Sequence, residues 1–252
     1  MLSPALHGLR GSGVRAAAVS QARLCAAASS LAKPTHRAVL VDAGGCLIDP
    51  AEPVPDTYVR FATAHGVRGL SPAAVKAGFR TAFAAPRPAG ALRYEGDGAA
   101  FWRGVVAAAT GCADAALFDA LFAHYAKPEA WRIAPGAQAA LQRLRAAGVR
   151  LAVVSNWDTR LRPLLQDLQL SPLFDAVIVS AELRAEKPDA RVFAAALRAL
   201  SGDLQPHEAL MVGDDEGNDV AGATSHGCDA LLFGRDVMTF ADLAAFVLRD
   251  GA

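Results

Sequence analysis

The chain has 252 residues, 53% of them hydrophobic and 20% charged, with a formal net charge of zero. That length suits one large soluble domain or a core with an inserted module, and no run reaches the ~18 uninterrupted apolar residues of a membrane-spanning helix. Balanced charge gives no reason to expect a nucleic acid or a membrane surface as partner, and cysteines at 25, 46, 112 and 228, without CxxC or metal-like spacing, read as reduced thiols.

Residues 1–37 differ from the rest. They hold Arg10, Arg15, Arg23, Lys33 and Arg37 but no Asp or Glu, and Ala and Ser dominate. A basic, Ser-rich, acid-poor leader is the signature of an organelle transit peptide. Arg23-Leu24-Cys25-Ala26 favours a mitochondrion, although a chloroplast leader would look much the same. The alternative is a disordered Ala-rich tail on a cytoplasmic protein. Without this segment the chain keeps 20 basic against 25 acidic residues and is mildly acidic.

Short aliphatic runs then recur at 38–42 (AVLVD), 149–155 (VRLAVVS), 176–180 (AVIVS), 209–214 (ALMVGD) and 229–233 (DALLF). Continuous apolar runs suit strands buried on both faces, as in a parallel sheet. Between them, Ala137, Ala140, Leu141 and Leu144 repeat at helical spacing, with Gly148 as a stop signal. Leu161, Leu164, Leu165 and Leu168 do the same, as do Phe193, Ala196, Leu197 and Leu200. The alternation predicts an α/β fold with a doubly wound, Rossmann-like parallel sheet.

The stretch of about ninety residues between the first strand and the helix at 136 breaks the rhythm, with helical periodicity in most segments and no convincing strand. Tyr58, Phe61 and Ala62 form one stripe, and Val75, Phe79 and Phe83 a second. Phe101, Trp102, Val105 and Val106 form a third, and Leu117, Phe118, Leu121, Phe122 and Tyr125 a fourth. Such aromatics read as the core of a helical bundle rather than a cofactor box. PRPAGALRYEGDG at 86–98 reads as a loop inside it. The predicted organisation is a core of 38–49 and 131–252 interrupted by a helical cap at 50–130, above the strand ends where open α/β sheets bind ligands.

Several strands deliver a polar group to that edge. The first ends on Asp42, the second on Ser155 and Asn156, and the fourth on Asp214, with Asp215 and Asp219 close behind. Lys187 follows the third. Taken singly these residues have plainer readings. Lys187-Pro188-Asp189 is a helix start and Ser155-Asn156 a helix entry. Taken together, the acids would repel unless a cation neutralised them, and Mg2+ is the natural occupant of an all-oxygen site.

These segments resemble, in order and spacing, the four motifs of the haloacid dehalogenase-like (HAD) hydrolase superfamily. Asp42-Ala43-Gly44-Gly45-Cys46 stands at the first motif, D-x-D-x-T. VVSN at 153–156 stands at the second and Lys187-Pro188 at the third. Gly213-Asp214-Asp215-Glu216-Gly217-Asn218-Asp219 stands at the fourth. The resemblance implies phosphoryl transfer through an aspartyl-phosphate on Asp42. Lys187 would orient Asp42 and balance the acids. Ser155, Asn156 and Gly45 would bind a small phosphorylated metabolite. Mg2+ would be held by Asp42, the Gly44 carbonyl, Asp214 and Asp219.

The first motif departs from the pattern at Gly44, where family phosphatases carry a second Asp that protonates the leaving group. Such help contributes ~10²–10⁴-fold, so an ordinary phosphomonoesterase with this motif would be slow. Asp158, Glu95 and Asp97 are candidates for a substitute acid. Cys46, in place of Thr, reads as a small core residue. Three functions stay open: a Mg2+-dependent phosphatase, a catalytically degenerate metal- or ligand-binding protein, and a metal-independent 2-haloacid dehalogenase, whose halide leaves without a proton.

Overall fold

The computed structural model describes residues 34–88 and 90–249. Nearly all of the segment read as a transit peptide or tail lies outside the described residues. Its last residues are bonded to the core. Thr35 N donates to the Val247 carbonyl at 2.8 Å, His36 Nε2 meets Asp229 Oδ2 at 2.9 Å, and Arg37 pairs with Asp203 and Glu208.

Five parallel strands form the main sheet, and each matches an aliphatic run of the sequence. They are β1 (Ala38–Val41), β4 (Arg150–Ser155), β5 (Ala176–Val179), β6 (Ala209–Gly213) and β7 (Asp229–Leu232), in the order β5-β4-β1-β6-β7. The period-2 pleat divides the runs between two cores. Val39, Val41, Leu151, Val153, Leu210 and Val212 face one cluster, while Ala38, Leu40, Ala152, Val154, Ala209 and Met211 face the other. Both faces are thus buried, as continuous apolar runs require.

Ten helices of four residues or more, apart from one π-helical turn, lie among the described residues. Between β2 (Ile48–Pro50) and β3 (Trp131–Ile133) come α1 (Val54–Ala64), α2 (Pro72–Phe83), α3 (Ala99–Thr110) and α4 (Ala115–His124). After β3 follow α5 (Ala137–Ala146), α6 (Leu161–Asp167), α7 (Ser180–Leu183), α8 (Ala190–Leu200), α9 (Gly222–Ser225) and α10 (Phe240–Leu248). Helices α5, α6 and α10 pack on one face of the sheet, and α8 and α9 on the other. The fold is α/β with a mainly parallel sheet flanked by helices.

Helices α1 to α4 share a third cluster built on Tyr58, Ala62, Val75, Val106, Leu117, Phe118 and Leu121. The aromatic stripes supply much of it. Helix α2 begins where the Ser71 hydroxyl accepts from Ala74 N at 3.2 Å, and α4 where Asp114 accepts from Leu117 N. Helices α2 and α3 cross closely at Gly78, where a Cβ would lie 2.5 Å from the Ala108 carbonyl oxygen.

One expectation needs correction. The expected absence of strands between β1 and α5 is wrong, because Ile48 pairs with Ile133 and Pro50 with Trp131 in a two-stranded antiparallel sheet. Strands of three residues are too short to show a period, and their partners lie far apart in the chain. Lys187-Pro188-Asp189 does lead into a helix, as its plainer reading has it. Asp189 is the N-cap of α8, accepting from Arg191 N, and Pro188 precedes it.

Candidate active site

In the strand order β5-β4-β1-β6-β7, successive connections run outward in opposite directions from β1, and the crevice for a ligand opens beyond the carboxyl ends of β1 and β6. Val41 and Val212 are in register, so Asp42 emerges beside Gly213 and just before Asp214. Val41 is also in register with Val153, which brings Ser155 to the same edge two residues further along β4. The parallel sheet therefore gathers residues from across the chain at one crevice.

Lys187 stands at its centre. The side chain is buried, and its ammonium donates to Asp42 Oδ1 at 2.7 Å, Asp219 Oδ1 at 2.5 Å and the Val154 carbonyl at 2.8 Å. All three protons are used, as burial of a charge demands. Burial alone would lower the lysine pKa, but Asp42 and Asp219 outweigh it and the net shift is upward. Lys187 is held charged.

Asp214 and Asp219 are pushed the other way. Burial, followed by the charge of Asp42, raises Asp214 to about 6. Burial raises Asp219 to about 6 as well, against the opposing pull of Lys187. Oxygens of Asp42, Asp214 and Asp219 lie within 4.8 Å of one another. Three carboxylates against one ammonium leave two negative charges in one crevice, and a divalent cation with oxygen ligands cancels them. The donor set fits Mg2+.

Glycines make this approach feasible. Gly45 has φ +76°, in the left-handed region, and a Cβ there would overlap the Asp214 carboxylate. A Cβ on Gly213 would overlap the Asp219 carboxylate, which also accepts from Asp215 N at 3.1 Å. The Gly45 N–H is engaged with the Ile48 carbonyl at 3.1 Å, so Gly45 contributes room for Asp214 rather than a donor for substrate. Leu47 N and Ile48 N both bond the Ala43 carbonyl, and that of Gly44 takes no part in these loop bonds.

The remaining candidates separate clearly. The Ser155 hydroxyl is at the crevice and closes no hydrogen bond among the described residues. Asn156 spends its amide on Lys187: Oδ1 accepts from Lys187 N at 2.7 Å, and Nδ2 donates to the Lys187 carbonyl at 2.9 Å. Its geometry is that of a residue positioning the lysine, not one facing substrate. Asp215 caps the π-helical turn Glu216–Ala221 by accepting from Gly217 N and Asn218 N. Cys46 is buried in the core, where desolvation pushes its thiol pKa up.

Asp158 is corrected outright as a substitute acid. It is fully buried and accepts from Trp102 Nε1 at 3.0 Å, Arg160 N at 3.0 Å, Arg160 Nε at 2.9 Å and Arg160 Nη2 at 2.8 Å. Its oxygens are committed to the Arg160 guanidinium and the Trp102 indole rather than to the crevice. Glu95 and Asp97 are exposed, and Asp97 Oδ1 accepts from Ala99 N at the start of α3.

Sequence reasoning did not anticipate Trp157. A Cβ on Gly44 would come within 3.1 Å of Trp157 Cζ3, so the indole lies against the position where the second Asp is missing. The contact joins two loops far apart in sequence, and the only sequence signal was an aromatic directly after the strand-end Ser155-Asn156.

A profile of the haloacid dehalogenase-like hydrolase family matches residues 36–227. The chain belongs to this family. Human haloacid dehalogenase-like hydrolase domain-containing protein 3 is 32% identical over 201 residues, covering 76% of this chain and 79% of that protein. A ribulose-1,5-bisphosphate 5-phosphatase from Halopiger xanaduensis is 36% identical over 119 residues, covering 47% and 48% of the two chains. Among solved structures, a magnesium-bound HAD hydrolase from Bacillus subtilis superposes with a TM-score of 0.66 at 15% identity, covering 84% of this chain and 98% of that one. At that identity the likeness shows the HAD fold alone. The HAD match begins at His36, inside the segment that the structure bonds to the core.

Proposed function

We propose that the protein is a Mg2+-dependent phosphate-ester hydrolase acting on small phosphorylated metabolites, with Asp42 as nucleophile. One observation carries this reading: a buried, charged Lys187 bridges Asp42 and Asp219, with Asp214 in reach, at the ligand edge of the sheet. Phosphatases among the relatives support it.

Mg2+ would be held by Asp42, Asp214 and the Gly44 carbonyl, with Asp219 in support. When bound it supplies positive charge against the phosphate and the carboxylates. Lys187 binds only Oδ1 of Asp42, leaving Oδ2 as the attacking oxygen. Oδ2 bonds to phosphorus as the bond from phosphorus to the leaving oxygen breaks, and that oxygen departs with the electron pair. Water then attacks the aspartyl-phosphate, the bond from phosphorus to Asp42 breaks, and phosphate leaves with the carboxylate restored. Ser155 would take a phosphate oxygen. Asn156 would act through Lys187 as a positioning residue.

With Gly44 in place of an acid, the leaving oxygen draws its proton from solvent, and esters of ordinary alcohols turn over slowly. The test is release of inorganic phosphate from a panel of phosphate esters with and without Mg2+, comparing the native protein with Asp42→Asn. Mg2+-dependent release that disappears in the variant is expected, and release that survives would remove Asp42 as nucleophile. Gly44 also favours a second reading, dehalogenation, since halide needs no proton. Metal-independent chloride release from a 2-chlorocarboxylic acid would replace the phosphatase reading. Mg2+ binding with neither activity would leave a degenerate binding protein.

A further inference from the structure

Helices α1 to α4 do not close completely on the sheet domain. They leave a cavity of about 170 Å³, walled by Tyr58, Phe79, Trp102, Phe118, Tyr125 and Trp157. Apolar cavities of about 150 Å³ accept a benzene molecule, so this one has the size and lining for a single aromatic ring.

Its position ties it to the reacting carboxylate. Trp157 walls the cavity and also lies against Gly44, two residues from Asp42. A side chain at position 44 would project toward that indole, so this residue faces the cavity side of the crevice. Arg160 also borders the cavity, but Asp158 neutralises it and the Phe122 ring, 3.8 Å from the guanidinium carbon, covers it. No free cation awaits a second anionic group there. One polar point remains: the buried Tyr125 hydroxyl lies beside the Thr57 hydroxyl, whose own proton goes to Glu52 at 3.2 Å.

We propose that this cavity is the leaving-group subsite and that the preferred substrates are aryl phosphates, monoesters whose phenol-like ring fills it, with Tyr125 available to a polar ring substituent. The proposal rests on the phosphatase reading above and names its substrate class. Two independent features converge on it, the aromatic walls and the glycine at position 44. A phenol ionises at ~10, as the tyrosine side chain does, far more readily than water or an ordinary alcohol. An aryl oxygen therefore leaves as phenolate with the electron pair of its bond to phosphorus, and solvent protonates it afterwards. Water attack on the aspartyl-phosphate then gives inorganic phosphate, so aryl phosphate plus water yields phenol plus phosphate with no acid at position 44.

The experiment uses the full chain with Mg2+ and three substrates: phenyl phosphate, ethyl phosphate and acetyl phosphate. Acetate leaves readily and is too small to fill the cavity. Because a rate advantage for phenyl phosphate also reflects its leaving group, binding of phenylphosphonate and methylphosphonate, neither hydrolysable, is measured by calorimetry. Burying a ring is worth roughly ten- to a hundredfold in affinity. We expect kcat/KM for phenyl phosphate to exceed that for ethyl phosphate at least a hundredfold, and phenylphosphonate to bind at least tenfold tighter than methylphosphonate. Val106→Trp, which fills the cavity, should lower the phenyl-to-acetyl rate ratio at least tenfold. If that variant does not fold, as a thermal melt would show, the phosphonate pair on the native protein decides. Hydrolysis of acetyl phosphate with equal binding of the two phosphonates would overturn the subsite and leave the phosphatase reading standing. Failure to hydrolyse any of the three would overturn both.

Discussion

Lys187→Met tests whether the crevice is organised by charge. Lys187 is 3% exposed, Asp42 7% and Asp219 1%, and the lysine bonds both carboxylates at 2.7 and 2.5 Å. Methionine nearly matches the volume of the lysine stem, so little cavity is created. What disappears is the positive charge. Removing one partner of a buried ion pair costs about 3–5 kcal/mol, because the other charge is left uncompensated. In a domain of this size each kcal/mol moves Tm by roughly 2–4 °C, so a fall of roughly 6–20 °C is expected at pH 7.5 in EDTA. The sign of the pH dependence follows from Asp219. Its folded pKa is already raised to about 6 by burial, with Lys187 pulling it down, and the variant lets it rise further. A carboxyl whose folded pKa lies above its unfolded value of ~3.9 destabilises the fold when ionised. That penalty is absent below the unfolded pKa and complete above the folded one. The gap in Tm between native and variant proteins should therefore narrow from pH 7.5 to pH 5, read by differential scanning calorimetry. An equal gap at both pH values would refute the electrostatic account and assign the loss to packing.

Three further outcomes are expected. Mg2+ at about 100 times its Kd should stabilise the native protein by ~2.7 kcal/mol at pH 7.5. The gain should shrink at pH 5, where protons compete at Asp214 and Asp219, each with a pKa of about 6, and Asp214→Asn should abolish it; a pH-independent gain would place the ion elsewhere. Gly44→Asp should raise turnover of ethyl phosphate by ~10²–10⁴-fold, provided Trp157 yields the few tenths of an ångström that a Cβ 3.1 Å away demands. If the single substitution is silent, Trp157→Phe combined with it should release the effect, and silence of both would mean that the missing acid does not limit the rate. Gly45→Ala should weaken Mg2+ binding, because its φ of +76° strains the backbone and its Cβ displaces Asp214; unchanged affinity in calorimetry would show that the loop relaxes freely.

The strand ends were legible because a parallel sheet converts sequence order into spatial order. Once AVLVD, LAVVS and ALMVGD read as strands, Asp42, Ser155 and Asp214 had to meet at one edge. Lys187 was placed by its position after the third strand and by the likeness to the third HAD motif, and the structure shows it bonded to Asp42 and Asp219. What stayed hidden depends on pairs remote in the chain. Asp158 looked available until Trp102, 56 residues away, and Arg160 saturated it. Asn156 was assigned to substrate through its place in the second HAD-like motif, but its partner is the Lys187 backbone, 31 residues on. Helix α10 left no period to detect, because FADLAAFVL is apolar at almost every position.

Five consecutive residues after β4 connect the chemistry to the helical insertion. Asn156 clamps the Lys187 backbone, and Trp157 lies against Gly44 with its carbonyl bonded by Ser180 Oγ at 3.1 Å. Asp158 takes the indole N–H of Trp102 from α3, and Thr159 N donates to the Gly96 carbonyl at 2.9 Å in the loop before α3. Arg160 donates to the Phe122 carbonyl in α4 and lies over that ring. The wall of the cavity and the clamp on the lysine are thus neighbouring residues on one fixed segment. A group that presses on Trp157 acts one peptide unit away from the amide that orients Lys187, and through it on Asp42. Because each of these five residues is hydrogen-bonded to another part of the chain, moving the segment means breaking one of these bonds. If the cavity takes the leaving group as proposed, its occupancy and the orientation of Asp42 are linked through this one segment, and substrate fit should then be expressed in kcat as well as in KM.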